Sequence, residues 1–218
     1  MRKTASEKHF DEIAREYDFY KSKNYFYYNN LKKLLGSLIP KNRKVFEVGC
    51  GTGELLNHLR PKYGYGYDIS QKMISISKSK FRISNLTFST SWPKEKFDYI
   101  FMSDVIEHLD DPKETLRKIS GLMDRKSVFV CTMANPAWEP VLMIAEKLDL
   151  KMPEGPHKRV AFNDLRLTVN DLGMKIIKHD YKLLVPIGIP FITDLANKYF
   201  ERYFKKLSFI EYFVAIKV

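Results

Sequence analysis

Cysteine is scarce: the 218 residues hold two, Cys50 and Cys131. Two thiols exclude a disulfide framework and a cysteine-built zinc site. No run of about 18 apolar residues occurs, so no transmembrane helix is expected. Residues 1–8 are polar and lack the apolar stretch of a signal peptide, which makes a reducing cytoplasm the expected compartment. Repeats, low-complexity tracts and Gly/Ser linkers are also missing, so one domain with a full core is the expectation for this length. Aromatic residues, in contrast, are plentiful, with 15 Phe, 13 Tyr and 2 Trp. A disordered chain does not carry that load.

The net charge of +11 is uneven. Residues 1–44 hold 11 Lys/Arg and 5 Asp/Glu, residues 45–150 hold 14 of each, and residues 151–218 hold 12 and 7. A neutral middle lies between two basic flanks. The flanks suit an anionic partner such as nucleic acid, a membrane face or an acidic substrate, or equally a solvated surface.

Phe10, Ile13, Ala14 and Tyr17 have helical spacing and predict a helix over 6–20; a second pattern runs through Tyr28, Leu31, Leu34, Leu35 and Leu38 to Pro40. Short apolar runs then alternate with helical patterns. Strands are predicted at 44–48, 65–68, 86–89, 97–102 and 127–131, with helices at about 53–60, 70–80 and 112–122 between them. This alternation marks a parallel α/β sheet. A helical face through Trp138, Val141, Leu142, Ala145 and Leu148 follows, then a loop over 151–156, a helix over 162–172, a strand over 175–184 and a last strand over 209–218.

The informative stretch is Glu47-Val48-Gly49-Cys50-Gly51-Thr52-Gly53-Glu54. Glycines there let the chain turn sharply and a ligand approach its backbone, at the strand end where α/β sheets bind nucleotides or nucleosides. A phosphate-binding loop would end in Gly-Lys-Ser/Thr. This loop has no cation and is flanked by two glutamates, which repel pyrophosphate and welcome a cationic donor. A dinucleotide fingerprint would need glycine at position 54. S-adenosylmethionine, with a sulfonium, an ammonium and no phosphate, fits. Asp68 lies 15 residues beyond Gly53, where a carboxylate accepts both ribose hydroxyls.

These motifs, with Gly66-Tyr67-Asp68-Ile69-Ser70 and Phe97-Asp98-Tyr99-Ile100-Phe101-Met102-Ser103-Asp104-Val105-Ile106-Glu107-His108, resemble class I S-adenosylmethionine-dependent methyltransferases, most closely the small-molecule group of quinone-pathway enzymes. The resemblance covers roughly residues 6–180. It implies a Rossmann-like, seven-stranded, mostly parallel sheet with helices on both faces and an antiparallel last strand. Residues 1–40 would form N-terminal lid helices, 41–134 the cofactor-binding core and 135–160 a substrate-lid excursion. Glu47 and the backbone of Gly49, Cys50, Gly51 and Gly53 would hold the methionine portion, Asp68 the ribose, and Ile69 and Met73 the adenine, although Met73 equally suits a helix core. Tyr17 either touches the methionine end or packs under the lid. The group often has a carboxylate after the third strand for the adenine amino group. Here Ser91 or a backbone carbonyl would replace it, with Trp92 stacking nearby.

Methyl transfer needs an aligned nucleophile and, for a high-pKa oxygen, a general base. The candidates after the fourth strand are Ser103, Asp104, Glu107 and His108. His108 and, in the lid, His157 are the expected bases; a backbone-bonded helix-start histidine and a surface-loop histidine are the alternatives. Asp104, Glu107 and His108 also align with a pattern that binds a divalent metal in some quinone O-methyltransferases, but the same residues resemble relatives with no metal, and none is assigned. Asn135-Pro136-Ala137-Trp138 follows the wrong strand for an amine-methylating motif, so Trp138 is expected to anchor the lid helix.

Finally, apolar pairs Phe191/Ile192, Leu195/Ala196, Tyr199/Phe200 and Tyr203/Phe204 alternate with Lys198, Arg202, Lys205 and Lys206. The basic insertion 183–208 suits either packing in a core or interface or contact with an anionic membrane surface. The expected activity is methyl transfer to a small, lipophilic acceptor of quinone, lipid or polyprenyl type. The alternatives are an RNA or protein methyltransferase using the basic flanks, less favoured by the neutral middle, and a cofactor-binding scaffold without turnover.

Overall fold

Buried residues alternate along the strands and sort the core into two layers. The structure is a computed structural model describing residues 3–218 except 149, 151, 154, 159, 190 and 191, and only the backbone of 192 and 194. Its strands are β1 (Lys44–Val48), β2 (Tyr63–Tyr67), β3 (Leu86–Ser89), β4 (Tyr99–Ser103), β5 (Val128–Ala134), β6 (Met174–Lys182) and β7 (Ile210–Lys217). They form one sheet in the order β3-β2-β1-β4-β5-β7-β6. β1 to β5 pair in parallel, and β7 is antiparallel to both neighbours, as the resemblance implied. The order reverses between β1 and β4, and such a switch point opens a crevice at the carboxyl ends of the strands.

The eight main helices are α1 (Ala5–Ile13), α2 (Tyr17–Lys23), α3 (Tyr25–Leu38), α4 (Glu54–His58), α5 (Gln71–Lys80), α6 (Pro112–Gly121), α7 (Glu139–Lys147) and α8 (Phe162–Asp171). Phe46, Val48, Ile100, Met102, Phe129 and Cys131 share one core with Leu116 and Ile119 of α6 and Leu165 and Val169 of α8. Val45, Phe101 and Val130 point the other way, toward Leu31, Leu34 and Leu35 of α3, Leu55 and Leu56 of α4 and Ile74 of α5. Period-two burial on near-continuously apolar strands is what a sheet covered on both faces requires. Side-chain caps set several helix starts: Thr4 accepts from Glu7 N, Ser70 from Met73 N and Asp111 from Glu114 N, with Pro112 in the first turn of α6.

Several boundaries differ from expectation. The helix expected over 6–20 is two, α1 and α2, separated at residues 14–16. The break lets each dock by its own aspartate: Asp11 accepts from Ser70 Oγ at 2.6 Å and Lys72 N at 3.3 Å, and Asp18 accepts from Thr52 Oγ1 at 2.6 Å. β4 begins at Tyr99, leaving Phe97 as a buried plug. β5 extends to Ala134 because β7 pairs with it to the Ala134–Ile210 register.

The basic insertion is not one amphipathic helix. It makes a single α turn, α9 (Ile192–Leu195), then a wider turn over Ala196–Phe200 and a 3-10 turn over Lys205–Leu207. Two of its polar residues, Asn197 and Glu201, turn inward, while Lys198, Arg202, Lys205 and Lys206 stay exposed. Asn197 accepts from Val185 N at 2.9 Å and donates to Val185 O at 3.1 Å, and Glu201 accepts from Leu183 N at 2.7 Å. Leu195, Tyr199, Phe200, Tyr203, Phe204 and Leu207 are therefore exposed rather than buried in the core. Phe191 and the side chain of Ile192 lie outside the described residues. Trp138 anchors the start of α7 as expected: its indole N–H donates to Leu207 O at 2.8 Å, and its ring meets Phe209 edge-on.

These environments set the cost of truncation. Ile100→Ala, in the centre of the sheet with no exposed area, is expected to destabilise the protein by about 2–5 kcal/mol. Tyr203→Ala, at 68% exposure, is expected to change stability by less than about 0.5 kcal/mol. Urea denaturation of both variants checks the contrast.

Candidate active site

The glycine loop bends back over the end of β2. Gly49, Gly51 and Gly53 all have positive φ, between 51° and 82°, a region that side chains with a Cβ rarely adopt. Gly49 N and Cys50 N both donate to Tyr67 O, at 2.7 and 2.9 Å. A Cβ on Gly51 would lie 3.0 Å from the Tyr17 ring. Tyr17 thus covers the loop from α2, and the bare backbone leaves a cradle that any side chain would fill.

Asp68 stands at the centre. It is 7% exposed and accepts from Gly51 N at 2.7 Å and Ser70 N at 2.9 Å, one bond per oxygen. Each carboxylate oxygen retains a further lone pair, enough to receive two neighbouring hydroxyls. Burial pushes its pKa up to about 6, against the pull of the two amides. Glu47 is also buried and accepts from Leu56 N in α4 at 3.1 Å; burial raises its pKa well above the ordinary value, opposed chiefly by the Lys21 charge.

Lys21 is the residue that sequence reasoning missed. Nothing in the sequence separates it from the other lysines. Its side chain turns inward beneath α2, is 7% exposed, and rests its ammonium 4.7 Å above the Tyr17 ring and 5.0 Å above the Tyr28 ring. Its charge also lowers the pKa values of Glu47, Asp68 and Asp104.

Asp104 closes the end of β4 in a left-handed conformation, φ 55°. Its Oδ2 accepts from the Tyr27 hydroxyl at 2.5 Å. Its Oδ1 is buried and has no hydrogen-bond partner among the described residues. Burial, reinforced by Glu107, pushes the carboxyl up to about 7, opposed by the Tyr27 hydrogen bond. Nothing in the sequence singles out Tyr27 within the aromatic run 25–28, so the pair was not anticipated.

The two expected bases are tied to the lid. His108 Nδ1 donates to Pro156 O at 3.2 Å, and the ring meets Phe10 and His157 edge-on. His157 faces oxygen acceptors with both nitrogens, Gly155 O at 3.0 Å and Glu139 Oε1 at 3.2 Å. These contacts hold the imidazole within the lid segment. Lys158 N donates to Glu107 O at 2.7 Å in the same seam. The remaining expectations at residues 151, 154 and 159 lie outside the described residues. Among the described residues no group of three or more His, Cys, Asp or Glu is disposed to hold a metal.

The adenine-side candidates are divided. Ile69 is exposed beside Asp68, whereas Met73 is 1% exposed and belongs to the helix core. Ser91 is exposed and its carbonyl accepts from the Tyr65 hydroxyl at 2.8 Å; Trp92 leans on Tyr67 and Phe46. Ser103 shares a 2.5 Å hydrogen bond with Thr132 of β5.

A doubly wound sheet with a glycine cradle at its switch point, an acidic residue after β2 and no loop cation defines the class of S-adenosylmethionine-dependent methyltransferases. Residues 15–179 match the family described as methyltransferase domain, and the chain belongs to that family. Its cofactor is S-adenosylmethionine. A ubiquinone biosynthesis O-methyltransferase of Pelagibacter ubique is 26% identical over 183 residues, 72% of this chain and 76% of the relative. An uncharacterized protein of Methanocaldococcus jannaschii is 29% identical over 118 residues, 53% of this chain. The chain spans about half the length of two such archaeal relatives, 56% and 53%. Among solved structures, magnesium protoporphyrin IX methyltransferase from Synechocystis PCC 6803 with bound SAH superposes with a TM-score of 0.69, at 16% identity and over 97% and 98% of the two chains. At that identity it shows the shared fold.

Two outcomes follow from the loop and from Asp104. Gly51→Ala is expected to weaken binding of S-adenosylhomocysteine by about tenfold or more, because the cradle loses its space and its backbone freedom; titration calorimetry reads this directly. An aspartate with a pKa of about 7 in the fold and 3.8 ordinarily binds more protons folded than unfolded between those values. Stability from this group therefore falls as pH rises through that window. Asp104→Asn is expected to raise the melting temperature at pH 8 and to change it little at pH 4.

Proposed function

We propose that this protein transfers the methyl group of S-adenosylmethionine to an ionisable oxygen or nitrogen of a small, lipophilic acceptor, with Asp104 as the proton acceptor. The observation that carries this reading is the buried, unshared Oδ1 of Asp104 at the end of β4. Bound S-adenosylmethionine supplies a methyl group made electrophilic by the sulfonium. Gly49 to Gly53, Glu47 and Asp68 hold the donor, and Tyr17 closes over it. Tyr27 fixes the Asp104 carboxylate so that its other oxygen is the one offered. A carboxyl poised near neutral pH suits a general base, which must be ionised to act and basic enough to take the proton. His108 on Pro156 O, His157 on Glu139 and the Lys158 amide on Glu107 O hold the 155–158 segment in place, shielding the reacting centre from water.

The lipophilic acceptor is supported by the surface beside the lid. Val141, Met143 and Ile144 of α7 and Leu148 just after it are more than half exposed, as are Ile187, Leu195, Tyr203 and Leu207 of the insertion. Soluble monomers seldom expose so many large apolar side chains together. Lys198, Arg202 and Lys206 occur within the same stretch, which fits an anionic lipid surface from which an apolar acceptor enters. No described helix is long and apolar enough to cross a membrane. The resemblance to a ubiquinone-pathway enzyme supports the same acceptor class.

With methyl-labelled S-adenosylmethionine and a panel of prenylated phenols and lipid amines, label is expected in the organic phase. The transfer rate is expected to rise with pH through about 7 as Asp104 ionises. Asp104→Asn is expected to lower it by about 100-fold or more while S-adenosylhomocysteine still binds. Turnover unaffected by Asp104→Asn defeats the assignment of the base. Co-sedimentation with phosphatidylglycerol vesicles at low salt, lost with phosphatidylcholine alone, is expected for the apolar surface.

A further inference from the structure

We infer that the end of the sheet opposite the donor crevice is a docking face for double-stranded RNA, gripped through its phosphate backbone. This face takes no part in the methyl transfer proposed above. The stretches that lead into β1 to β5 are residues 39–43, 59–62, 81–85, 94–98 and 122–127. They hold nine Lys/Arg against three Asp/Glu, +6 of the chain's +11. All nine cations are exposed. Seven of them belong to residues 45–150, whose charges cancel in the sequence. The fold separates what the sequence balances. Glu47, Asp68, Asp104 and Glu107 gather at or just beyond the carboxyl ends of β1, β2 and β4, and the cations collect at the amino ends.

A surface that serves only solubility mixes both signs, and crowded like charges oppose folding. The three acids in these stretches are engaged by the chain itself. Asp98 accepts from Lys44 N at 2.9 Å, Asp124 accepts from Lys126 N at 2.8 Å, and Glu95 lies 4.0 Å from Lys44 Nζ. Lys96 is held by Met123 O at 3.1 Å. The side chains of the other eight cations make no hydrogen bond or ion pair among the described residues. Their crowding is felt at His58, whose pKa is lowered by burial and then by Lys32, Arg60 and Lys41.

The layout favours a phosphate strand. In sheet order Arg82, Lys62, Arg43, Lys94 and Lys126 stand at the entries to β3, β2, β1, β4 and β5. Neighbouring strands lie about 4.8 Å apart, so the row runs about 19 Å with a cation at every step. Evenly spaced cations in a row fit evenly spaced phosphates. The step suits an A-form RNA strand, whose phosphates follow one another more closely than those of B-form DNA. Single strands are held by stacking on exposed aromatic rings, and lipid surfaces are entered by apolar side chains. Among the described residues of these stretches, Ile83 is the only large apolar side chain exposed. Duplex RNA, recognised by backbone and shape, needs neither rings nor apolar anchors. The crevice lies a strand's length away, roughly 16 Å, so RNA held here is a tether and not the methyl acceptor.

Fluorescence anisotropy of the full chain with a labelled RNA duplex of about 16 base pairs tests this. Between about 50 and 200 mM salt, log affinity is expected to fall with log salt at a slope of about −4 or steeper. Arg43→Glu, Lys62→Glu, Lys94→Glu and Lys126→Glu combined are expected to weaken RNA binding by about 100-fold or more. The same fourfold variant is expected to bind S-adenosylhomocysteine as the wild type does, which reports an intact fold. Lys62→Gln alone is expected to reduce the salt slope by about 1. Lys198→Glu, in the insertion, is expected to leave RNA affinity unchanged. No RNA binding at the lowest salt overturns the proposal, as does binding that survives the fourfold reversal. Equal affinity for a DNA duplex of the same length, or for poly-glutamate, overturns RNA as the partner. So does loss of phosphatidylglycerol-vesicle binding in the fourfold variant, which would assign the face to lipid.

Discussion

The grip of one carboxylate on two loops organises the site. Asp68 holds the amide of Gly51 after β1 and the amide of Ser70 after β2, so the two strand ends that face the crevice are joined through a single side chain. Charge-assisted bonds to backbone N–H groups in a buried setting are strong and directional. Ser70 extends the connection to Asp11 of α1, and Thr52 extends it to Asp18 of α2. The N-terminal helices are thereby referenced to the same residues that shape the loop. Removing this carboxylate would release two backbone donors and loosen the seat of Tyr17 and Lys21.

The sheet was legible because its physics is local. Short apolar strands and periodic helices announce themselves by spacing, and all seven strands lie close to where that spacing puts them. The glycine loop was legible for a related reason: backbone that must take positive φ admits few residues. Lys21 and Tyr27 were not legible. Each owes its role to which face of α2 or α3 turns toward β1 and β4, a matter of tertiary packing that one lysine among many cannot signal. Asp104 was visible as a candidate beside three others. Its orphan oxygen, and the tethering of His108 and His157 to the lid, appear only with the fold.

The insertion before β7 left two readings open in the sequence, packing in a core or interface and contact with an anionic membrane surface. A stripe of aromatics reads as something to be buried, and hydrophobic spacing ordinarily means that. Here Asn197 and Glu201 bind the backbone at 183–185, and those polar contacts turn the stripe outward. The local hydrogen bonds to otherwise unmet backbone groups outweigh the burial of half-exposed rings, since an orphaned buried amide costs as much as a buried aromatic recovers.

Strand order carries a consequence for how the polypeptide acquires its shape. β7 lies between β5 and β6 although it is made after both, so neither can complete its ladder until residues 210–217 leave the ribosome. Through most of synthesis the flank of β5, with Val130 and Cys131, is an open edge of bare amides and carbonyls, the kind of edge that recruits foreign strands. A nascent chain of this design gains from anything that shields that flank until residues 210–217 emerge.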